Sequence, residues 1–233
     1  MKRVIVKLSG EALAGAKHLG IDGASIKRIA QELIALVQSG YQVGVVNGAG
    51  NIWRGRNTMG CEMDKADADG IGIVATMLNA LALKNVLTSL GQKAQVLSSV
   101  FMPKVAPLFT KDEAIKLLEA GYIVIFAGGT GLPFFTTDSC AALRAGEVKA
   151  DAILMAKNGV DGVYSADPNK DPNAKRFATL SYQDILSQNL QVMDMTAAAL
   201  CQENNITTIV FDMNVEGNLI KVLSNPKIGT VIK

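Results

Sequence analysis

Short aliphatic strands alternating with amphipathic helical stretches predict an α/β protein, a three-layer α/β/α sandwich around a mainly parallel sheet. Three observations carry this. The periods switch repeatedly between two and 3.6 along the chain, the mark of right-handed crossovers. Hydrophobic residues make up 49% but aromatics only 5%, so the apolar mass is Val, Ile, Leu and Ala, as strands covered on both faces require. Glycine-rich turns follow several of the strands, at the end of a parallel sheet where ligands bind.

In order, residues 3–8 (RVIVKL) read as a strand that stops at Ser9-Gly10. Helix spacing of Ile26, Ile29, Ala30, Leu33 and Val37 predicts a helix over 24–38, closed by Ser39-Gly40. A strand at 42–46 leads into Asn47-Gly48-Ala49-Gly50-Asn51. The long stretch 66–90 is helical and, from Ile71 to Leu83, apolar on nearly every side. That pattern predicts burial in a core or a subunit interface, and favours an oligomer. A strand at 93–98, a helix at 111–120 and a strand at 122–127 follow, and the last breaks at Gly128-Gly129-Thr130-Gly131. A helix is expected near Thr137, then a strand at 151–156 and a polar segment at 157–177. Helices near 181–188 and 195–204, a strand at 206–211, a helix at 216–224 and a strand at 229–232 complete the chain. With no repeat or long linker, residues 1–233 read as a single domain.

Composition removes several classes. A net charge of +2 and the lack of a basic run argue against a nucleic-acid partner. No eighteen consecutive apolar residues occur, so no membrane partner is expected. Lys7 interrupts the first apolar run, unlike a signal peptide. Cys61, Cys140 and Cys201 lack metal-ligand or disulfide spacing, which points to a cytoplasmic location. His18, the only histidine, lies in a polar stretch and reads as surface, so the chemistry is expected to run without an imidazole.

No GxxxxGK[ST] is present, and no GxGxxG follows the first strand. Phosphate-binding capacity therefore rests on other turns. Lys7-Leu8-Ser9-Gly10 puts an ammonium and free amides in one corner; taken alone, it reads better as a strand end with an exposed lysine. Gly48-Ala49-Gly50-Asn51 lets backbone approach a ligand, with Arg54 able to grip phosphate oxygens, or it is an ordinary tight turn. Residues 129–138 (GTGLPFFTTD) join glycines, threonine hydroxyls, aromatics and an acid, suited to a phosphate and a base. In the blander alternative Thr137 or Asp138 is a helix cap and Phe134 and Phe135 are core. Residues 157–168 (KNGVDGVYSADP) read by pattern as a hairpin and loop. Asp69 and Asp194, taken singly, read as solvated acids.

Together these segments, in this order and spacing, resemble the amino acid kinase superfamily and, within it, the bacterial UMP kinases. VDGVYSADP at 160–168 is shared widely in the superfamily, whereas 129–138, Asp69 with Gly72 and Ala75-Thr76, and VMD at 192–194 are more specific. The resemblance implies transfer of a phosphoryl group from ATP to UMP in pyrimidine nucleotide biosynthesis, with Mg²⁺ carried by ATP. It divides the chain into an acceptor-side half, about 1–150, and an ATP-side half, about 151–233. It implies that Lys7, Leu8, Ser9, Gly10, Gly50 and Arg54 contact ATP, and that Asn158, Tyr164 and Asp167 line the adenosine site. Ala49 and Asp69 would meet UMP, Asp69 through the ribose hydroxyls. Thr130, Gly131, Leu132, Pro133, Phe134, Phe135, Thr136 and Thr137 would wrap its base and phosphate. Lys7, Arg54 and Asp138 would be catalytic, Asp138 by orienting Lys7, and Lys157 would be a second cation. A homohexamer is implied too. Ala49 replaces a glycine usual in the family, a change that bears on substrate affinity. Lys84-Asn85 departs from the Arg-Asp linked in some relatives to GTP activation, while 17–22 matches a segment tied to it. GTP activation and UTP inhibition therefore stay open. Two rivals stand beside UMP: a sister kinase acting on a carboxylate or carbamate, and a nucleotide sensor without catalysis.

Overall fold

The structure is a computed structural model and describes residues 2–54, 63–168, 170–188 and 190–233. Among these, eight strands form one sheet in the order β3-β4-β2-β1-β5-β7-β8-β6. The strands are β1 (Arg3–Leu8), β2 (Gln42–Asn47), β3 (Ala94–Ser98), β4 (Ile123–Ala127), β5 (Ala152–Lys157), β6 (Thr179–Leu180), β7 (Thr207–Asp212) and β8 (Thr230–Ile232). All pairs are parallel except β7 with β8. The predicted sandwich is thus borne out, with a reversal near one edge.

Eight helices cover the sheet: α1 (Glu11–Ala14), α2 (Gly23–Gln38), α3 (Lys65–Ser89), α4 (Lys111–Glu119), α5 (Thr137–Glu147), α6 (Tyr182–Gln188), α7 (Met195–Glu203) and α8 (Asn218–Ser224). The period-two alternation of β1 sorts the core. Val4, Val6 and Leu8 face one apolar layer, built with α2, α3 and α8. Ile5 faces the other, built with α4, α5, α6 and α7. Lys7 alternates with Leu8, so its side chain emerges on the α5 side. On β5, Ile153 and Met155 point the same way, which puts Lys157 on that face as well.

Sequence boundaries shift by one or two residues. Several short elements were not expected. Helix α1 and a 3-10 turn at Gly15–Lys17 occupy part of the stretch read as polar, because Gly10 starts a turn too short to show a 3.6 period. Strand β6 is only two residues long and precedes α6, so no alternation could reveal it. His18 is exposed, with φ 54° at the end of the 3-10 turn.

Helix α3 corrects the membrane argument. By length and composition it is apolar enough to cross a bilayer. Its inner face is nevertheless protein core: Met77, Ala80, Leu83 and Leu87 pack with β2 and β3, and Asn79 is fully buried and hydrogen-bonded. A different stripe, Ile71, Val74 and Leu78, is 40%, 49% and 53% exposed. Cys140 and Cys201 are free and buried, and burial pushes the Cys140 thiol up to about 11. Cys61 lies outside the described residues.

Candidate active site at the carboxyl edge of the sheet

The turns after β1, β2, β4 and β5 converge where parallel strands end. Helix α5 begins there. Its cap is Thr136, not Thr137 or Asp138: the Thr136 hydroxyl accepts from the amides of Asp138 (3.0 Å) and Ser139 (3.3 Å). Thr136 is extended (φ −89°, ψ 174°), as a capping residue requires. Asp138, in the first turn of α5, then has its side chain free to meet β1, and Lys7 Nζ lies 2.5 Å from its Oδ1. Both side chains are largely buried, at 11% and 15% exposure. A charge-assisted contact this close fixes the ammonium at the strand end.

Lys157 stands on the same face, and its ammonium donates to the Val192 carbonyl (2.5 Å). Burial holds its pKa below the ordinary lysine value; Lys7 adds to the drop, and Asp138 opposes it. Two cations and one carboxylate therefore share a corner next to the positive end of α5.

Gly10 explains the tight turn after β1. A Cβ there would sit 2.4 Å from Asn51 Oδ1 and 2.6 Å from the Gly50 nitrogen. The β1 and β2 turns touch through backbone, and only glycine permits it. Ser9 caps the new turn, its hydroxyl accepting from Ala12 N (3.3 Å). Leu8 contributes no side chain: it is fully buried, and its carbonyl accepts from Gly48 N (2.8 Å). Arg54 donates to the Gly50 carbonyl (3.0 Å) and pairs with Glu11 on α1. Ala49 is 8% exposed and is not among the residues with positive φ, so its methyl is accommodated without strain.

A buried amide pair locks this turn to α3. Asn79 donates to the Gly48 carbonyl (2.8 Å) and exchanges hydrogen bonds with Asn51 (2.8 and 3.0 Å). Asn51 also donates to the Gly20 carbonyl (2.7 Å).

The turn from 128 to 136 takes φ values of 81°, 56° and 81° at Gly128, Gly129 and Gly131. Phe134 follows at φ 69°, a strained setting for a bulky residue. Its amide donates to Asp69 Oδ2 (2.8 Å), which also accepts from Lys65 (2.7 Å). Lys65 lies 5.0 Å from the Phe134 ring centre. The Lys65 contact, helped by the Phe134 amide, holds the Asp69 carboxyl below its usual range. Phe134 and Phe135 are 65% and 46% exposed, not core, because the left-handed step turns the pair outward. Asp69 and Asp194 are likewise not solvated acids. Asp194 caps α7 through Ala197 N (2.8 Å) and accepts from the hydroxyls of Thr136 and Ser139.

Two cavities open on the site. The smaller, about 200 Å³, is lined by Ala49, Gly50, Asp69, Thr130, Leu132, Phe135, Thr136 and Thr137, among others. Gly50, expected on the ATP side, is on this wall. Gly131, Pro133 and Phe134 belong to the turn but not to the lining. The larger, about 540 Å³, is lined by Lys157, Tyr164, Asp167 and Val192, with the rest of the segment 162–168. Asn158 sits at the adjoining turn, accepting from Asn214 (2.8 Å). Tyr164 donates to Asp161 (2.6 Å), which raises the phenol pKa. Neither Lys7 nor Asp138 is part of either lining, but Thr137, next to Asp138, borders the smaller cavity and Lys157 borders the larger.

Sequence reading does not single out Trp53, Ala68 or Ile73, which also line the smaller cavity. One signal is present: Ala68, Gly72 and Thr76 recur every fourth residue, a stripe of small side chains along one helix face.

Comparison with known proteins agrees with this geometry. The chain is 50% identical over 232 residues to a uridylate kinase of Limosilactobacillus reuteri (strain DSM 20016), covering 100% of this chain and 97% of that one. A uridylate kinase of Pediococcus pentosaceus is 49% identical, with coverage of 100% and 96%. Among solved structures, a UMP kinase from Bacillus anthracis superimposes with a TM-score of 0.96 at 39% identity, covering 100% of this chain and 96% of that one. One from Ureaplasma parvum gives 0.95 at 40%, with coverage of 100% and 98%. The family model described as the amino acid kinase family matches residues 2–212, and with that match, over this sheet and these turns, the chain belongs to the amino acid kinase family.

Proposed function

We propose that this chain phosphorylates UMP with ATP, giving UDP and ADP. The observation that carries the reading is the Lys7–Asp138 pair at the start of α5, with neighbouring Thr137 on the wall of one cavity and Lys157 on the wall of another. Full-length relatives named uridylate kinase support the choice of acceptor. UMP is assigned to the smaller cavity and ATP to the larger, with Arg54 on the phosphate path.

An oxygen of the UMP phosphate attacks the γ-phosphorus of ATP; the new O–P bond forms as the bond to the β-phosphate oxygen breaks, and ADP leaves. The attacking oxygen is already ionised at pH 7, so no general base is required. The obstacle is repulsion between two polyanions. Lys7, Lys157 and the α5 amides offset that charge in the loose transition state. Asp138 holds Lys7 in place. Mg²⁺ suits this site as a cation delivered on the triphosphate, where it neutralises phosphate charge. Among the described residues no group of three or more His, Cys, Asp or Glu side chains converges to cage one.

A homo-oligomer, a hexamer by resemblance, belongs to the same reading and is supported by the uncovered stripe Ile71, Val74 and Leu78 on α3. So do a cytoplasmic location and a place in pyrimidine nucleotide synthesis. GTP activation and UTP inhibition are tested by adding each nucleotide to the assay.

The deciding experiment offers labelled ATP with UMP, CMP, AMP, aspartate, glutamate and acetylglutamate in turn. UDP from UMP at a much higher kcat/KM than any other product is expected. Phosphorylation of an amino acid instead, or tight UMP binding without UDP, overturns the proposal.

A further inference from the structure

The chain has one tryptophan, and it stands in the wall of the acceptor-side cavity. The indole Nε1–H of Trp53 donates to the Ala68 carbonyl (2.8 Å), in the first turn of α3. One turn further on, Gly72 presents bare backbone to the ring: a Cβ there would lie 3.6 Å from Trp53 Cδ1. Trp53 itself follows the β2 turn, its amide donating to the Ala49 carbonyl (2.8 Å). One side chain thus ties the β2 turn to residues 68–72, the segment that carries Asp69.

The first turn of a helix has the fewest internal hydrogen bonds and frays most easily. Asp69 follows directly on that turn of α3, and its Oδ2 accepts both from Lys65 and from the Phe134 amide of the opposite turn. Any looseness at Ala68 passes directly to Asp69 and from there to the 129–136 turn. The tether by Trp53 acts at the residue next to Asp69, where it constrains the carboxylate most.

We propose that Trp53 is a positioning residue for the acceptor nucleotide, clamping the start of α3 so that Asp69 stays aimed at the sugar hydroxyls while the indole walls the cavity. The inference rests on assigning UMP to this cavity. It also makes the single tryptophan a reporter of acceptor binding.

The test uses the full chain as wild type, Trp53→Phe, Trp53→Ala, Asp69→Asn and the double variant Trp53→Ala/Asp69→Asn. Phe keeps the ring and removes the donor, so KM for UMP rises about fivefold while kcat and KM for ATP stay within about twofold. Ala raises KM for UMP further. If Trp53 works through Asp69, the Trp53→Ala and Asp69→Asn effects on kcat/KM are less than multiplicative. Wild-type tryptophan emission changes on adding UMP alone and saturates near the kinetic KM. Thermal melts of each variant separate loss of fold from loss of positioning. Emission indifferent to saturating UMP, fully multiplicative effects, or a fall in kcat at unchanged KM overturns the inference. Should wild type form no UDP from UMP, the functional reading itself fails and the inference falls with it.

Discussion

Lys7 and Asp138 are each ordinary until paired. Buried side by side, they place one ammonium at a strand end with little freedom. Lys7→Ala removes that charge, and Asp138→Asn frees the ammonium to wander. Either change is expected to lower kcat roughly 10²- to 10³-fold, with an unchanged circular dichroism spectrum as the control. Gly10 makes a different demand, for space. Gly10→Ala forces a methyl against Asn51 and the Gly50 backbone. It should cost about 1–3 kcal/mol in a denaturant titration, as overpacking does, and should raise KM for both nucleotides. Lys157 adds a pH signature. Burial lowers its pKa in the folded state, so as pH rises it loses its proton before an ordinary lysine. Activity should then fall on an alkaline limb below the usual lysine value of 10.5. Lys157→Arg should move that limb upward. The stability sign is the reverse: the unfolded chain binds the extra proton, so folding is favoured as pH rises between the folded pKa and 10.5.

Among the elements, α3 works on three sides at once. One face is core, one lines the acceptor cavity, and one is uncovered. Asn79 sits where the first two meet. Asn79→Ala removes both bonds to the Asn51 amide and the 2.8 Å bond to the Gly48 carbonyl, leaving Asn51 its bond to Gly20 and Gly48 only a longer one from Asn47 (3.4 Å). It is expected to cost about 1–3 kcal/mol and to loosen the β2 turn, seen as a lower melting temperature together with a higher KM for UMP. A clear period made α2 readable from sequence alone, length and all-round apolarity did so for α3, and the six strands of five or six residues stood out as short aliphatic runs. Elements shorter than one period, such as α1 and β6, left no such trace. The site divides the same way. Lys7, Gly10 and the 129–138 turn stand out because their residue types are unusual in a row. Asp194 and Trp53 matter through partners distant in the chain, Thr136 and Ala68, and no local pattern reveals a contact of that kind. The alternative that placed Phe134 and Phe135 in the core fails for a related reason: the left-handed conformation of Phe134 (φ 69°) leaves no trace in the sequence.

For the molecule as a whole, the stripe Ile71, Val74 and Leu78 is a run of apolar side chains on one helix that the fold leaves uncovered. Leu78→Glu should shift the chain toward smaller species in multi-angle light scattering while leaving the melting of the isolated subunit nearly unchanged. No change in mass would mean that this stripe is not the contact. The sheet order bears on the chemistry as well. Strand β1 lies at its middle, paired on one side with β2 and on the other with β5. Lys7 therefore sits on a strand held by two neighbours, with its ammonium fixed from α5 by Asp138. Central strands open last in amide exchange. Protection measured in deuterated buffer should therefore be slowest to decay at Val4 to Lys7, and the loops around the nucleotides can breathe through each turnover without disturbing the charge against which both phosphates are aligned.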